Sequence, residues 1–303
     1  MRSGFRYTCL CVGFLISILT ANVVNAATGS DSLWLPGIER EADSLATNKK
    51  YYDASLLYAK AIYFNSDPVK KAQLSLKRAS SLKQIGSFDI AEQTLNRVDL
   101  GMLPDSMQFS VKYNAALCAF LEADFPLAES HLIQLLYFGK DTSRNAECYP
   151  LYSLVLNELG KYDESKTYLE KYLHKAYNTQ DTAYINAFNK TELLFDKRSQ
   201  PHLKGIVKAK RLSRVLPGLG QMYCGNWGEG VVAMTSNLVL LGLCGVGVYY
   251  QYYITSFLYT SSVFTKFFMG NVSRAEFLAK KKNYKLLKAY NEQLKVHIIK
   301  YWK

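Results

Sequence analysis

Gly86-Ser87-Phe88-Asp89-Ile90-Ala91 is the stretch on which the fold turns. A glycine and a serine interrupt a helical pattern, and an aromatic residue is followed three positions later by a small one. The same aromatic-to-small step occurs at Tyr51/Ala54, Phe125/Ala128 and Tyr162/Ser165, so the four copies stand 37 residues apart. Three more columns keep that period: Ala42, Ala79, Ala116 and Ser153; Leu45, Leu82, Ala119 and Leu156; Tyr58, Leu95, Leu132 and Leu169. A fixed period of roughly 20–50 residues marks stacked supersecondary units, each unable to bury its apolar face alone.

Working outward, each unit reads as two helices. The first carries a small residue and an apolar one three later. A break follows (Gly86-Ser87, Ala123-Asp124, Gly160-Lys161), and the second helix opens on the aromatic residue with a buried stripe. Small residues where two helices cross let the axes approach, which a larger side chain would prevent. Pro68 and Pro104 fall after second helices, where helices end. The expected class is all-α, an α-solenoid of about four helix pairs. These columns resemble the tetratricopeptide repeat over roughly residues 36–175, although the period is longer than that family's usual one and its early Trp is missing. The resemblance implies a protein- or peptide-binding groove. Its candidates are first-helix residues off the packing columns: Lys77, Lys112, Tyr113 and Asn114. Thr182 to Lys197 reads as a capping helix, so the repeat domain is expected over 36–203.

The chain carries 37 Lys+Arg and 25 Asp+Glu, a formal net charge of +12. From Lys204 onward there are fifteen basic residues and three acidic ones, so residues 1–203 are neutral and all the excess lies in the last third. That distribution argues against a nucleic-acid-binding module, whose basic footprint should lie on the folded domain itself. Between Val215 and Thr265 the only charged residue is Glu229. Gly230 to Tyr250 is long enough to span a bilayer, and Tyr252 to Met269 can form a second pass. The aromatic turn of Tyr249, Tyr250, Tyr252 and Tyr253 between them suits a membrane interface. A single span with an interfacial aromatic helix is the alternative.

Ahead of the first span stands a Pro/Gly-rich approach: Pro217, Gly218, Gly220, Gln221, Tyr223, Gly225 and Gly230. Gly220-Gln221-Met222-Tyr223-Cys224-Gly225 and Gly245-Val246-Gly247-Val248-Tyr249-Tyr250 resemble the TM2-type two-helix membrane module over about residues 212–270. The variant looks like the form fused to exported bacterial repeat proteins. It departs from that family in having Gln221-Met222 where a polar His/Arg pair is usual. The resemblance implies membrane insertion rather than a reaction. The expected segments are a basic and Pro/Gly-rich approach over 204–229, a transmembrane hairpin over 230–270, and a basic amphipathic helix over 271–303. Lys280, Lys281, Lys282, Lys285 and Lys288 of that helix are the candidate contacts to anionic lipid, and Phe277, Tyr284, Leu287, Leu294 and Ile298 its apolar stripe. Positive flanks favour the cytoplasmic side, whereas a two-pass hairpin after an export signal puts both flanks outside.

The N-terminus supplies that signal. Arg2 and Arg6 precede an uncharged run from Leu10 to Leu19, and Val24-Asn25-Ala26 offers small residues before Ala27. This is the layout of a signal peptide over 1–26, with a linker over 27–35; an uncleaved anchor is the alternative. The solenoid is then expected to be periplasmic, held at a bacterial inner membrane. Cys118 and Cys148 read as two buried thiols rather than a bridge.

No constellation for chemistry emerges. His131, His174, His202 and His297 lack metal spacing, and there is no phosphate-binding loop or nucleophile elbow. No catalytic residue, cofactor or metal is expected. The function expected is a non-enzymatic membrane-anchored scaffold whose partners are a protein or peptide in the groove and lipids at the basic flanks, with no nucleic acid. The alternative is a subunit of an envelope transport or assembly complex, whose hairpin packs against other membrane proteins.

Overall fold

The computed structural model describes residues 35–139 and 142–302. The expected signal peptide, nearly all of the linker, and Lys303 lie outside the described residues. Among those described the chain is all-helical, with no strand. It divides into two compact units, Met1–Tyr184 and Ile185–Lys303.

In the first unit, α1 (35–47), α2 (Tyr51–Phe64), α3 (Pro68–Gln84), α4 (Phe88–Asn96), α5 (Asp105–Leu121), α6 (Phe125–Phe138), α7 (Asn145–Glu158) and α8 (Tyr162–Ala176) follow one another, and from α2 onward each packs on the next. The 37-residue period is written into the backbone. Lys49, Gly86, Ala123 and Gly160 all take positive φ, at 61°, 76°, 66° and 75°. At each, the residue one further on donates its N–H to the carbonyl five residues back: Lys50 to Leu45, Ser87 to Leu82, Asp124 to Ala119 and Lys161 to Leu156, at 2.8–3.0 Å. The positive-φ residue itself donates three back, as Gly86 does to Lys83. This is the Schellman ending, which satisfies the last free carbonyls of a helix. The next helix starts two residues later on the aromatic column.

The eight small residues of the packing columns are fully buried: Ala42, Ala54, Ala79, Ala91, Ala116, Ala128, Ser153 and Ser165 are each 0 or 1 % exposed. Tyr51, Phe88, Phe125 and Tyr162 are all half-buried at the first position of their helices. Tyr58, Leu95, Leu132 and Leu169 are buried beneath them; each leucine contributes roughly 1.5–3 kcal/mol by leaving water. In the last pair the two serines exchange hydrogen bonds: Ser153 Oγ lies 2.7 Å from Ser165 Oγ, and each hydroxyl reaches the other's backbone carbonyl. Pro68 and Pro104 open the next helix rather than only ending the last one. Pro68 is the first residue of α3, capped by Asp67, and Pro104 is the N-cap of α5.

The division between units falls inside α9 (Thr182–Phe195), earlier than the expected boundary at 203. The reason is packing at its C-terminal end. The Tyr290 hydroxyl donates to the Leu194 carbonyl, and Thr191 Oγ1 lies 2.9 Å from His297 Nε2. The second unit continues with α10 (Ile206–Val215), α11 (Leu219–Tyr223), α12 (Trp227–Tyr249), α13 (Tyr253–Tyr259), a π-helical turn (Thr260–Phe264) and α14 (Thr265–Tyr301). The same turn device recurs here. Gly225 and Gln251 take positive φ, and Asn226 and Tyr252 donate to Gln221 and Gly247. An aromatic residue again opens the following helix, and a small one stands three later: Trp227/Gly230 and Tyr253/Ser256. Gly218 and Cys244 occupy the place of Ala42. A Cβ on Gly218 would overlap the Gly230 carbonyl, and Cys244 Sγ lies 3.8 Å from the Ser256 carbonyl.

The buried face of α14 differs from the stripe expected for it. Phe277 and Tyr284 are exposed, and Leu287 is only partly covered. Leu294 and Ile298 of that stripe are buried, together with Val272, Ala275, Leu278, Ala279, Tyr290 and His297, which it did not include. Small residues lie where α10 and α11 cross the helix, and large ones where α9 does.

Candidate interaction surface and membrane face

The four groove candidates lie on first helices but are not equally open. Lys77 of α3 reaches α1, with Nζ 2.9 Å from Glu39 and 2.8 Å from Asp43, and Lys70 joins Glu39 at 2.7 Å. The ammonium of Lys70 beside Glu39 holds that carboxyl below its ordinary range. Asn114 accepts from Lys83 at 2.9 Å, again linking successive first helices. Tyr113 stacks on Phe109 at 6.0 Å, and burial raises its phenol to about 12. Lys112 is partly buried, and desolvation lowers its pKa. Lys77 and Asn114 thus connect neighbouring helix pairs, while Lys112 and Tyr113 are packed along their stems.

Next to them lies a buried histidine–carboxylate contact that sequence reading missed. His131 Nε2 of α6 is 3.0 Å from Glu92 Oε1 of α4, and both side chains are buried. Burial lowers the histidine pKa, opposed by its bond to Glu92. The two residues are 39 apart, near the repeat period. Cys118 and Cys148 are buried free thiols, pushed up to about 11 and about 12 by burial. No group of three or more metal-ligating side chains occurs among the described residues.

In the second unit the Pro/Gly-rich approach is partly helical. Gly220, Gln221 and Tyr223 lie in α11, which the glycine-rich pattern concealed. Glycine is present there for close approach: a Cβ on Gly220 would overlap the Ala209 carbonyl, and one on Gly230 would strike Met222. Pro217 and Gly218 form the turn before α11, and Gly218 has φ 99°. The Tyr223 hydroxyl accepts from the Gly205 N–H at 3.1 Å, while Lys204 and Lys208 lie 4.9 and 5.3 Å from its ring centroid. Asn283 clamps the backbone of Lys204, accepting its N–H at 2.7 Å and donating to its carbonyl at 2.9 Å.

Trp227–Tyr249 is the one helix among the described residues long and apolar enough to cross a membrane. Its mean hydropathy is 2.0 over a window only 11 % buried within the chain. Val232, Leu238, Val239 and Leu243 face outward. The apolar exposure continues past the aromatic turn, through Ile254, Phe257, Leu258, Phe267 and Met269. Glu229 is held by Arg274 in a two-pronged ion pair of 2.9 and 3.0 Å. Lys280, Lys281, Lys282, Lys285 and Lys288 are all exposed; Lys280 also reaches Glu276 at 2.7 Å, and Lys281 lies 5.9 Å from the Phe277 ring centroid.

No family model, curated protein or solved structure matches the chain.

Proposed function

We propose that the protein is a non-enzymatic membrane-anchored scaffold. Its 37-residue helix pairs stack as a tetratricopeptide-like α-solenoid, exported by the N-terminal signal and facing the periplasm of a bacterium. α12 and the helix running from Tyr253 form a TM2-like hairpin in the inner membrane. The exposed lysines of α14 meet anionic headgroups, and the groove beside Lys112 and Tyr113 takes a protein or peptide. The observation carrying this reading is the pairing of two features in one chain. One is a backbone turn recurring four times at a fixed period; the other is an apolar helix of which only 11 % of the window is buried within the chain.

In-cell crosslinking of the intact protein, followed by identification of what is captured, tests the reading. A variant lacking residues 204–303 should still bind the captured protein in solution. Capture by the C-terminal unit alone would overturn the scaffold assignment. Cysteine labelling of Lys285→Cys from each side reports topology, and labelling only from the cytoplasm would exclude the two-pass arrangement.

A second reading, a subunit of an envelope transport or assembly complex, is favoured by Gly242 and Gly245. Both have open space where a Cβ would stand, as close packing of a neighbouring membrane helix requires.

A further inference from the structure

Helix α3 turns two faces to its neighbours. Lys70 and Lys77 reach the carboxylates of α1. On the other face Lys71, Ser75 and Arg78 line an open cleft of about 470 Å³, bordered by Tyr63 of α2 and by Arg97 and Asp99 at the end of α4. Clefts of roughly 300–1,000 Å³ are the size that holds small molecules.

Its charge is not neutralised from within. Neither Lys71, Arg78 nor Arg97 forms an ion pair among the described residues. Asp99, the one carboxylate in the lining, accepts the Gly101 N–H at 3.0 Å. Arg78 Nε is buried with no hydrogen-bond partner. Burial lowers the Arg78 pKa, and the Arg97 charge lowers it further. Holding a desolvated guanidinium beside a second one opposes folding, so these side chains gain nothing from each other. In the same unit Lys70, Lys77 and Lys161 each have a carboxylate.

We propose that this cleft binds a small dianionic oxyanion, a phosphate monoester with a compact apolar or aromatic body. Three cations less one carboxylate leave a net charge of +2 in the lining, which matches a dianion. Arg78 and Arg97 supply fork-shaped donors suited to phosphate oxygens, Lys71 adds a point charge, and Tyr63 gives the organic body a wall. The site is separate from the groove of the scaffold reading and does not depend on it.

The test is calorimetric titration of the full-length protein in detergent with phenyl phosphate, inorganic phosphate and benzoate. Phenyl phosphate should bind and raise the melting temperature. Inorganic phosphate should bind more weakly at the same site, and benzoate roughly tenfold more weakly than phenyl phosphate. Arg97→Gln, at an exposed position, should weaken phenyl phosphate roughly tenfold or more. Arg78→Gln should abolish binding while leaving the melting temperature of the free protein unchanged or higher, since a desolvated charge is removed. Should Arg78→Gln fail to fold, Arg97→Gln decides alone. Absence of phenyl phosphate binding, binding undiminished in Arg97→Gln, or benzoate bound as tightly as phenyl phosphate would each overturn the proposal.

Discussion

The column of positive-φ residues invites a paired experiment. Gly86 and Gly160 occupy two of its four places, and Lys49 and Ala123 the others. A Cβ on Gly86 or Gly160 would meet nothing within 4 Å, so the effect of adding one is confined to the backbone. A left-handed conformation costs an L-residue roughly 1–2 kcal/mol relative to glycine. The smaller entropy of an alanine-containing unfolded chain returns about 0.4–1 kcal/mol. Gly86→Ala and Gly160→Ala should therefore each destabilise the first unit by about 1 kcal/mol, and Ala123→Gly should stabilise it by the same amount. For a unit of this size that is a shift of about 2–4 °C per substitution. Thermal unfolding of the full-length protein in detergent, followed by far-ultraviolet circular dichroism, measures it, with urea titration as a check. The reasoning fails if Ala123→Gly lowers the melting temperature, or if Gly86→Ala and Gly160→Ala leave it unmoved.

Three further outcomes follow from particular contacts. Ser153→Ala leaves Ser165 with a broken buried exchange and should cost about 1–2 kcal/mol, but Ser153→Ala/Ser165→Ala recreates the Ala/Ala contact of the other pairs and should cost less than the sum of the single changes; a double-mutant cycle in urea reads the difference. Burial, with Lys190 and Lys300 nearby, depresses the His297 pKa to about 4. The unfolded state binds its proton first, near pH 6.5, so the second unit should lose about 2 kcal/mol between pH 7 and pH 5, seen as faster hydrogen exchange in α9; His297→Gln should flatten that dependence. Gly220→Ala places a methyl group against the Ala209 carbonyl and should deplete the protein from the membrane fraction, whereas Gly225→Ala, with open space around it, should be tolerated at a cost of about 1 kcal/mol.

Much of the repeat was readable before any coordinates because its signal is local and periodic. An aromatic residue at a helix start and a small residue three later recur at one spacing, and every small position so identified is buried. The groove candidates were harder to read. Lys77 and Asn114 look free along the sequence, but their partners, Glu39, Asp43 and Lys83, lie 31–38 residues away, at the distance of a neighbouring helix pair. The cleft at Arg78 gave no motif at all, since its cations come from two helices and have nothing in common but the space they border. In α14 the expected stripe holds at the C-terminal end, where Leu294 and Ile298 are buried, and fails at Phe277 and Tyr284, because different helices cover the two ends of that helix.

What the order of residues determines by itself is the class of structure and the distribution of charge. Helical periodicity, glycine at two of four turns, and 51 positions with a single charge need no tertiary context, since each follows from local backbone preference or from the cost of desolvating charge. Only the tertiary structure decided that Lys49 and Ala123 do the work of glycine, because packing of the flanking helices outweighs about 1–2 kcal/mol of backbone strain. It alone decided that α9 ends against α14, and that three cations share one unneutralised cleft, because burial and long-range pairing are properties of the assembled helices.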